Sequence, residues 1–318
     1  MKSLRLLLLT IILSTSSAVN AQDVDSLLLG DDLDFLINGD SLSVFSLIDS
    51  LLSLNANPHS QLAFRLGYNS NVIAAGRTLG IQNFGLTPGI SYYHKSGLFA
   101  DVSGFWSNDF DPSYYLTIAS VGYSPIISKK FSMMATYDRY FYNTNTEDAY
   151  IPYKNAASLN TSFDYRWLNT GLTYSLYFGD KSVQRIMPSI GATFEIKKKA
   201  LIKRIAILPA FYLLLGDEIF YSTEVLIPQT RQEALYNFRT YGKVFPTIVT
   251  ETRESGLMNY SFTLPVSISI GKTNLLLTYV YSIPKALPSE TLTFSESSFI
   301  TASFSWLPAF KSRKSPWQ

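Results

Sequence analysis

Few residues in this chain could act as nucleophile, base or metal ligand. There is no cysteine, which removes thiol catalysis, a disulfide scaffold and cysteine-held zinc together. The two histidines, His59 and His94, are too few for a multi-histidine metal centre. Tyr68-Asn69-Ser70-Asn71 offers a serine, but an activated serine needs an adjacent base. His94 lies a full strand length away, beside the turn Lys95-Gly97. Asp109 and Asp111 could pair as acid and base, yet Pro112 follows at once and the segment reads first as a turn. Gly76-Arg77-Thr78 lacks the spacing of a phosphate-binding loop. Basic residues sit in turns rather than interleaved with aromatics on one face, the opposite of a nucleic-acid footprint. No catalytic residue, cofactor or metal is assigned, and the expectation is a protein that is not an enzyme.

A second class of polar residue sits inside apolar segments, at every other position. Arg65, Asn69, Asp101, Asp138, Asn169, Glu195 and Asn259 are the principal members, with Ser103, Thr136, Thr173, Ser189 and Thr263 between them. On one inner face, Arg65 could pair with Asp101 or Asp138 as a structural ion pair, or such groups could form a constriction that selects small polar solutes.

The elements that must position these residues are strands. Leu62, Phe64, Leu66 and Tyr68 alternate with Ala63, Arg65 and Gly67. Met258, Tyr260, Phe262, Leu264, Val266, Ile268 and Ile270 alternate with Asn259, Ser261, Thr263, Pro265, Ser267 and Ser269. Successive strand side chains face opposite sides, so each segment has one apolar and one polar face. Twelve such strands are expected, at 61–72, 84–94, 98–108, 113–127, 131–142, 156–164, 167–178, 184–197, 203–216, 257–270, 274–283 and 297–306. They run about 10–13 residues, more than the usual 5–6 of globular sheets and enough for a tilted bilayer crossing. No uninterrupted apolar stretch approaches the roughly 18 residues of a membrane helix.

Connections after even strands are tight, and those after odd strands are mostly longer, with about 40 residues between 216 and 257. Tyr92-Tyr93, Tyr114-Tyr115, Tyr140-Phe141-Tyr142 and Tyr177-Phe178 stand at strand ends, where amphipathic rings would meet the headgroup level. Low charge content (16%) and 47% hydrophobic residues fit an outer wall facing lipid.

With these features together, the chain resembles the outer-membrane β-barrel proteins of Gram-negative bacteria over residues 60–307. The resemblance implies an all-β, transmembrane, antiparallel up-and-down barrel of about 12 strands. It also implies outer-membrane lipid and the barrel-insertion machinery as partners. Phe299–Trp306, with outward Ile300, Ala302, Phe304 and Trp306, looks like the terminal signal which that machinery reads, although twelve residues follow it.

The flanking segments complete the domain plan. Residues 1–21 read as a signal peptide: Lys2 and Arg5, an apolar Leu6–Leu13, and Val19-Asn20-Ala21 before Gln22. The chain has 26 basic and 24 acidic residues, and the signal takes two bases and no acid, leaving 24 against 24. That neutrality is the sum of an acidic leader, 22–59, with seven Asp and no Lys or Arg, and a basic remainder. Lys95, Lys129, Lys130, Arg166, Lys198, Lys199 and Lys272 in the tight turns form a basic periplasmic rim, joined by Lys311, Arg313 and Lys314 in the tail, 308–318.

Residues 40–54 fit a short leader helix with apolar face Leu42, Phe45, Ile48, Leu51 and Leu52. It is expected either to dock at the periplasmic mouth or to act as a tether. Two functions stay open. One is a narrow pore or binding barrel for small polar solutes, plugged by the leader. The other is a non-conducting structural or interaction protein using an external loop over 217–256.

Overall fold

A computed structural model of the full chain describes residues 60–70, 85–108, 110–125, 127–128, 130–143, 153–197, 202–288, 290 and 295–308. The expected signal, leader helix and tail, and Lys129, Lys198 and Lys199 of the basic rim, lie outside the described residues.

The strands are Gln61–Asn69 (β1), Gly85–Tyr93 (β2), Leu98–Ser107 (β3), Tyr114–Tyr123 (β4), Phe131–Tyr142 (β5), Tyr153–Tyr165 (β6) and Leu168–Gly179 (β7). They continue as Ser182–Ala192 (β8), Phe194–Lys197 (β9), Ile202–Ile207 (β10), Ala210–Val225 (β11), Thr247–Ile270 (β12), Thr273–Pro284 (β13) and Ser297–Trp306 (β14). One helix, Arg231–Tyr241 (α1), joins β11 to β12. β8 and β9 form one stave interrupted at Thr193, and β10 and β11 one stave interrupted at Leu208-Pro209. Pro209 has no N–H for the ladder, so the break falls there.

Each stave pairs antiparallel with its sequence neighbour, and β14 returns to pair with β1, from Phe64↔Trp306 to Asn69↔Thr301. The sheet is thereby closed into a twelve-stave barrel with no free edge. At the seam, the rings of Phe64 and Trp306 stack with centroids 5.6 Å apart.

The tight turns take the residues their geometry requires. Gly271-Lys272 links β12 to β13 with Gly271 at φ 58°. Arg166 holds the equivalent left-handed position between β6 and β7, also at φ 58°. Gly97 turns at φ 91° where a Cβ would stand 2.5 Å from the Ser124 carbonyl oxygen.

The alternation read from the sequence reappears as exposure. Leu66, Ile90, Val102, Val121, Leu172, Ile190 and Ile300 are exposed, while Ala63, Arg65, Ser91, Asp101 and Ser103 on the same strands are buried. An apolar belt of this extent around a closed sheet is the surface of a protein solvated by hydrocarbon.

Three expectations are corrected. Met258 is not on the lipid face: it is the extra residue of a bulge opposite Leu214/Leu215 and is fully buried against Leu214 and Leu287. The paired strand-end aromatics are not all girdle residues. Period two sends Tyr92, Tyr114 and Phe141 outward but buries Tyr115, Tyr140 and Tyr177. Finally, 217–256 is not a structureless loop. β11 and β12 stay paired from Asp217↔Ser255 to Val225↔Thr247, so the barrel's longest connection is a projecting hairpin tipped by α1. Polar residues interrupt the apolar alternation beyond Leu215 because the strands have left the lipid.

Candidate functional site: the inner wall of the barrel

The inner wall has two unlike halves. On β12, β13, β14, β1 and β2, small hydroxyl and amide side chains predominate from rim to rim, with Leu276 and Phe299 buried among them. Ser267, Ser269, Asn274 and Ser305 stand toward the tight-turn rim, Thr87 and Thr263 in the middle, and Asn259 and Ser282 toward the hairpin rim, all buried. They hydrogen-bond one another: Asn259 Nδ2 donates to Ser282 Oγ at 2.8 Å, and Ser267 Oγ donates to Asn274 Oδ1 at 3.0 Å. On β3 to β8 the outer part of the wall is aromatic and aliphatic. Phe105, Tyr115, Leu116, Ile118, Tyr140 and Tyr177 form one buried cluster with Tyr153 and Val183.

Between the halves lies a charged network at mid-height. Arg65 Nη2 donates to Asp101 Oδ1 at 2.6 Å and to Ser103 Oγ at 2.8 Å. Ser103 Oγ in turn donates to Asp101 Oδ2 at 2.8 Å, and Ser91 Oγ donates to Asp101 Oδ1. Arg65 thus pairs with Asp101 and not with Asp138. The pair forms because β1, β2 and β3 are consecutive, and Arg65↔Gly89 and Gly89↔Ser103 leave a side-chain-free position between them. The guanidinium crosses that gap, and a Cβ on Gly89 would come within 2.9 Å of Arg65 Nη2.

The other expected inner-wall residues face inward but do not join this network. Asp138 is buried in register with Ser120 and has Ser120 and Thr136 as hydrogen-bonding neighbours. Glu195 meets Arg204, with Nε 2.9 Å from Oε1. Asn169 Nδ2 donates to Asp164, and Asn169 Oδ1 accepts from Thr193 Oγ1 at 2.8 Å. Asn69 stands half-buried at the outer end of β1, opposite Thr301. Among the rim cations, Lys95 and Lys272 are exposed, and Lys130 and Arg166 both stand over the Tyr165 ring, at 5.6 and 5.4 Å. Ser70 and His94 lie at opposite rims. Ser70 Oγ accepts from the Ile300 amide, while His94 Nδ1 is 2.8 Å from Ser96 Oγ.

A second charged cluster had no counterpart in the sequence reading. Arg185 Nη2 reaches Glu218 Oε2 at 2.5 Å, and Tyr153 donates to Glu218 Oε1 at 3.2 Å. Asp217 is buried, accepts from the Gln184 amide and pairs with Arg253. These contacts sit where β11 leaves β8, after Gly216↔Arg185, while it remains paired with β12. Asp217 caps a strand amide whose ladder partner has departed. Lys181 pairs with Glu251 higher on the hairpin. The sequence signal for this cluster is Arg185, which alternates inward beside Ile186; Asp217 and Glu218 carry none, because the apolar alternation ends at Gly216.

A closed sheet, an apolar belt and a polar, charged interior decide the architecture. The chain is an outer-membrane-type β-barrel. No family model and no curated protein matches it. Among solved structures, it is similar to the NanC porin at 12% identity, covering 77% of this chain and 98% of the other with a TM-score of 0.39. LpxR from Salmonella typhimurium shares 10% identity over 77% and 99%, with a TM-score of 0.41. A bacterial polysaccharide outer membrane secretin shares 10% over 81% and 100%, with a TM-score of 0.37. At such distances these likenesses carry nothing about this chain's activity.

Proposed function

We propose that this chain is exported by residues 1–21 to the outer membrane, where its barrel passes or binds small polar solutes and the acidic leader closes the periplasmic mouth. The observation that carries this reading is the inner run of small hydroxyl and amide groups on β12, from Ser269 and Ser267 through Thr263 to Asn259, with Asn274 and Ser282 beside it on β13. A wall made only to be filled would be built from side chains of core type, as β3 to β8 are in their outer part. The stripe passes the Arg65–Asp101 network, which supplies fixed donors and acceptors at mid-height. The leader reading rests on charge: seven acids in 22–59 and basic residues at the tight-turn rim would attract within a Debye length.

Single-channel recording in planar bilayers tests this function. The full chain is expected to give small or infrequent openings, and a chain lacking 22–57 larger or more frequent ones. Silence from both would contradict it.

A second reading is favoured by the hairpin. Its paired strands project beyond the barrel and carry a helix with a built N-cap, and Tyr236, Phe238 and Phe245 there are exposed. A non-conducting barrel that presents this hairpin to an external partner would be silent in the bilayer with or without 22–57.

A further inference from the structure

One charge faces the lipid from within a strand. On β5, Tyr137 and Phe141 are exposed while Asp138 and Tyr140 are buried, so period two turns Arg139 outward. Lys130 and Arg166, by contrast, sit in the tight turns, where water is adjacent. No carboxylate pairs with Arg139 among the described residues; its partner is a neutral amide. A guanidinium on the lipid side of a barrel is costly unless a counter-charge or the headgroup layer meets it.

Arg139 is held in place rather than reaching for water. Asn155 is its register partner on β6, and Arg139 Nη1 donates to Asn155 Oδ1 at 2.8 Å. Tyr137 donates its hydroxyl to the same oxygen at 2.8 Å, and Asn155 Nδ2 donates to the Phe178 carbonyl at 3.3 Å, which fixes the way the amide faces. The guanidinium also stands over the Phe141 ring at 5.8 Å. A snorkelling arginine extends along its strand toward the water. This one is tied sideways to the next strand, and most of its five N–H groups stay open to a ligand.

The wall around it suits a lipid. Ala119 lies opposite Arg139 on β4 and Ala157 opposite Tyr137 on β6, so small side chains flank the guanidinium on the outer surface. Toward the tight turns the same face of β6 continues as Leu159 and Phe163, both exposed. Arg139 and Asn155 stand near the ends of β5 and β6 away from the tight turns, where headgroups begin on the hairpin side. Lys154, the extra residue of the bulge beside Asn155, adds a second base there, half-exposed and with Nζ 3.8 Å from Asp180. A planar fork with open donors, a second base nearby and an apolar wall alongside fits a phosphate that carries hydrocarbon chains. A dissolved anion would gain nothing from the wall.

We propose that Arg139, held by Asn155 and Tyr137, binds the phosphate group of a membrane lipid in the leaflet on the hairpin side. The site is on the outer wall and stands whether or not the lumen passes solutes.

The test uses the full chain in mild-detergent micelles, with dioleoyl phosphatidic acid as probe and dioleoyl phosphatidylcholine as comparison, and counts bound lipid by native mass spectrometry. Phosphatidic acid should bind more tightly than phosphatidylcholine, and Arg139→Gln should weaken it about tenfold. Asn155→Asp supplies the missing counter-charge from the protein itself, so it should weaken the lipid as much while the barrel keeps its fold. Lys272→Gln, at the opposite rim, should leave binding unchanged, and millimolar inorganic phosphate should not displace the lipid. Heat-modifiable gel mobility establishes that each variant is folded. If Arg139→Gln misfolds, Asn155→Asp still decides. Undiminished binding by the Arg139 and Asn155 variants, or an equal loss in Lys272→Gln, overturns the site. Displacement by inorganic phosphate overturns the lipid as its occupant.

Discussion

At the scale of single residues, the interior is governed by what a buried charge requires. Arg65 and Asp101 are each almost wholly buried, so neither can fall back on water if its partner is removed. Asp101→Ala is expected to cost about 3–5 kcal/mol of folding free energy, measured by urea titration in lipid vesicles. The double change Arg65→Met with Asp101→Leu should cost much less, since it leaves no orphaned charge. On the outer face the penalty has a different origin. Val102 lies at the middle of β3 and is exposed to lipid, so Val102→Arg should destabilise by about 2–4 kcal/mol in the same titration. Moving a charge by one residue thus exchanges a paired interior for hydrocarbon. Alternation alone puts Asp101 and Val102 on opposite faces of β3. It could not choose between Asp101 and Asp138 as the arginine's partner, because that choice depends on Gly89 leaving the gap through which the guanidinium reaches β3.

At the scale of elements, the staves were legible wherever one face met lipid and the other met small polar groups. Where these conditions failed, so did the reading. β4 alternates poorly because Leu116 and Ile118 turn inward into the aromatic cluster, and because the pairing shifts register between Phe105 and Trp106. β11 and β12 run on past the membrane, where apolar alternation has no cause to persist. Their hairpin is ordered by local devices. Thr230 Oγ1 accepts from the Glu233 amide at 3.2 Å, Glu233 returns a carboxylate to the Gln229 amide at 2.7 Å, and Gly242 ends the helix at φ 70°. Thr230→Ala should cost this helix about 1 kcal/mol, seen as faster amide exchange over 231–241 with barrel stability unchanged. The hairpin's base is tied to β8 by Arg185–Glu218 and by the Gln184 amide, which donates to Asp217. Glu218→Ala should therefore increase protease cleavage within 217–256 at native temperature, with the barrel itself still resistant.

At the scale of the whole molecule, composition alone was ambiguous. A chain with few charges and many aromatics could be a core-rich soluble protein or one wrapped in lipid. Closure settles the architecture, since β14 meets β1 and the exposed apolar belt has no other solvent that suits it. The barrel wall ends near Leu257, below a hairpin that stands in water, and within the wall even and odd positions of β12 face lipid and interior. Spin-label accessibility scanned along 247–270 tests this directly, and the absence of native cysteine lets each label be introduced singly. Oxygen accessibility should peak at 260, 262, 264, 266, 268 and 270, fall at the positions between, and give way to uniformly water-accessible signals across 247–255. A period-two lipid signal continuing through 247, or water access on both faces between 260 and 270, would contradict it.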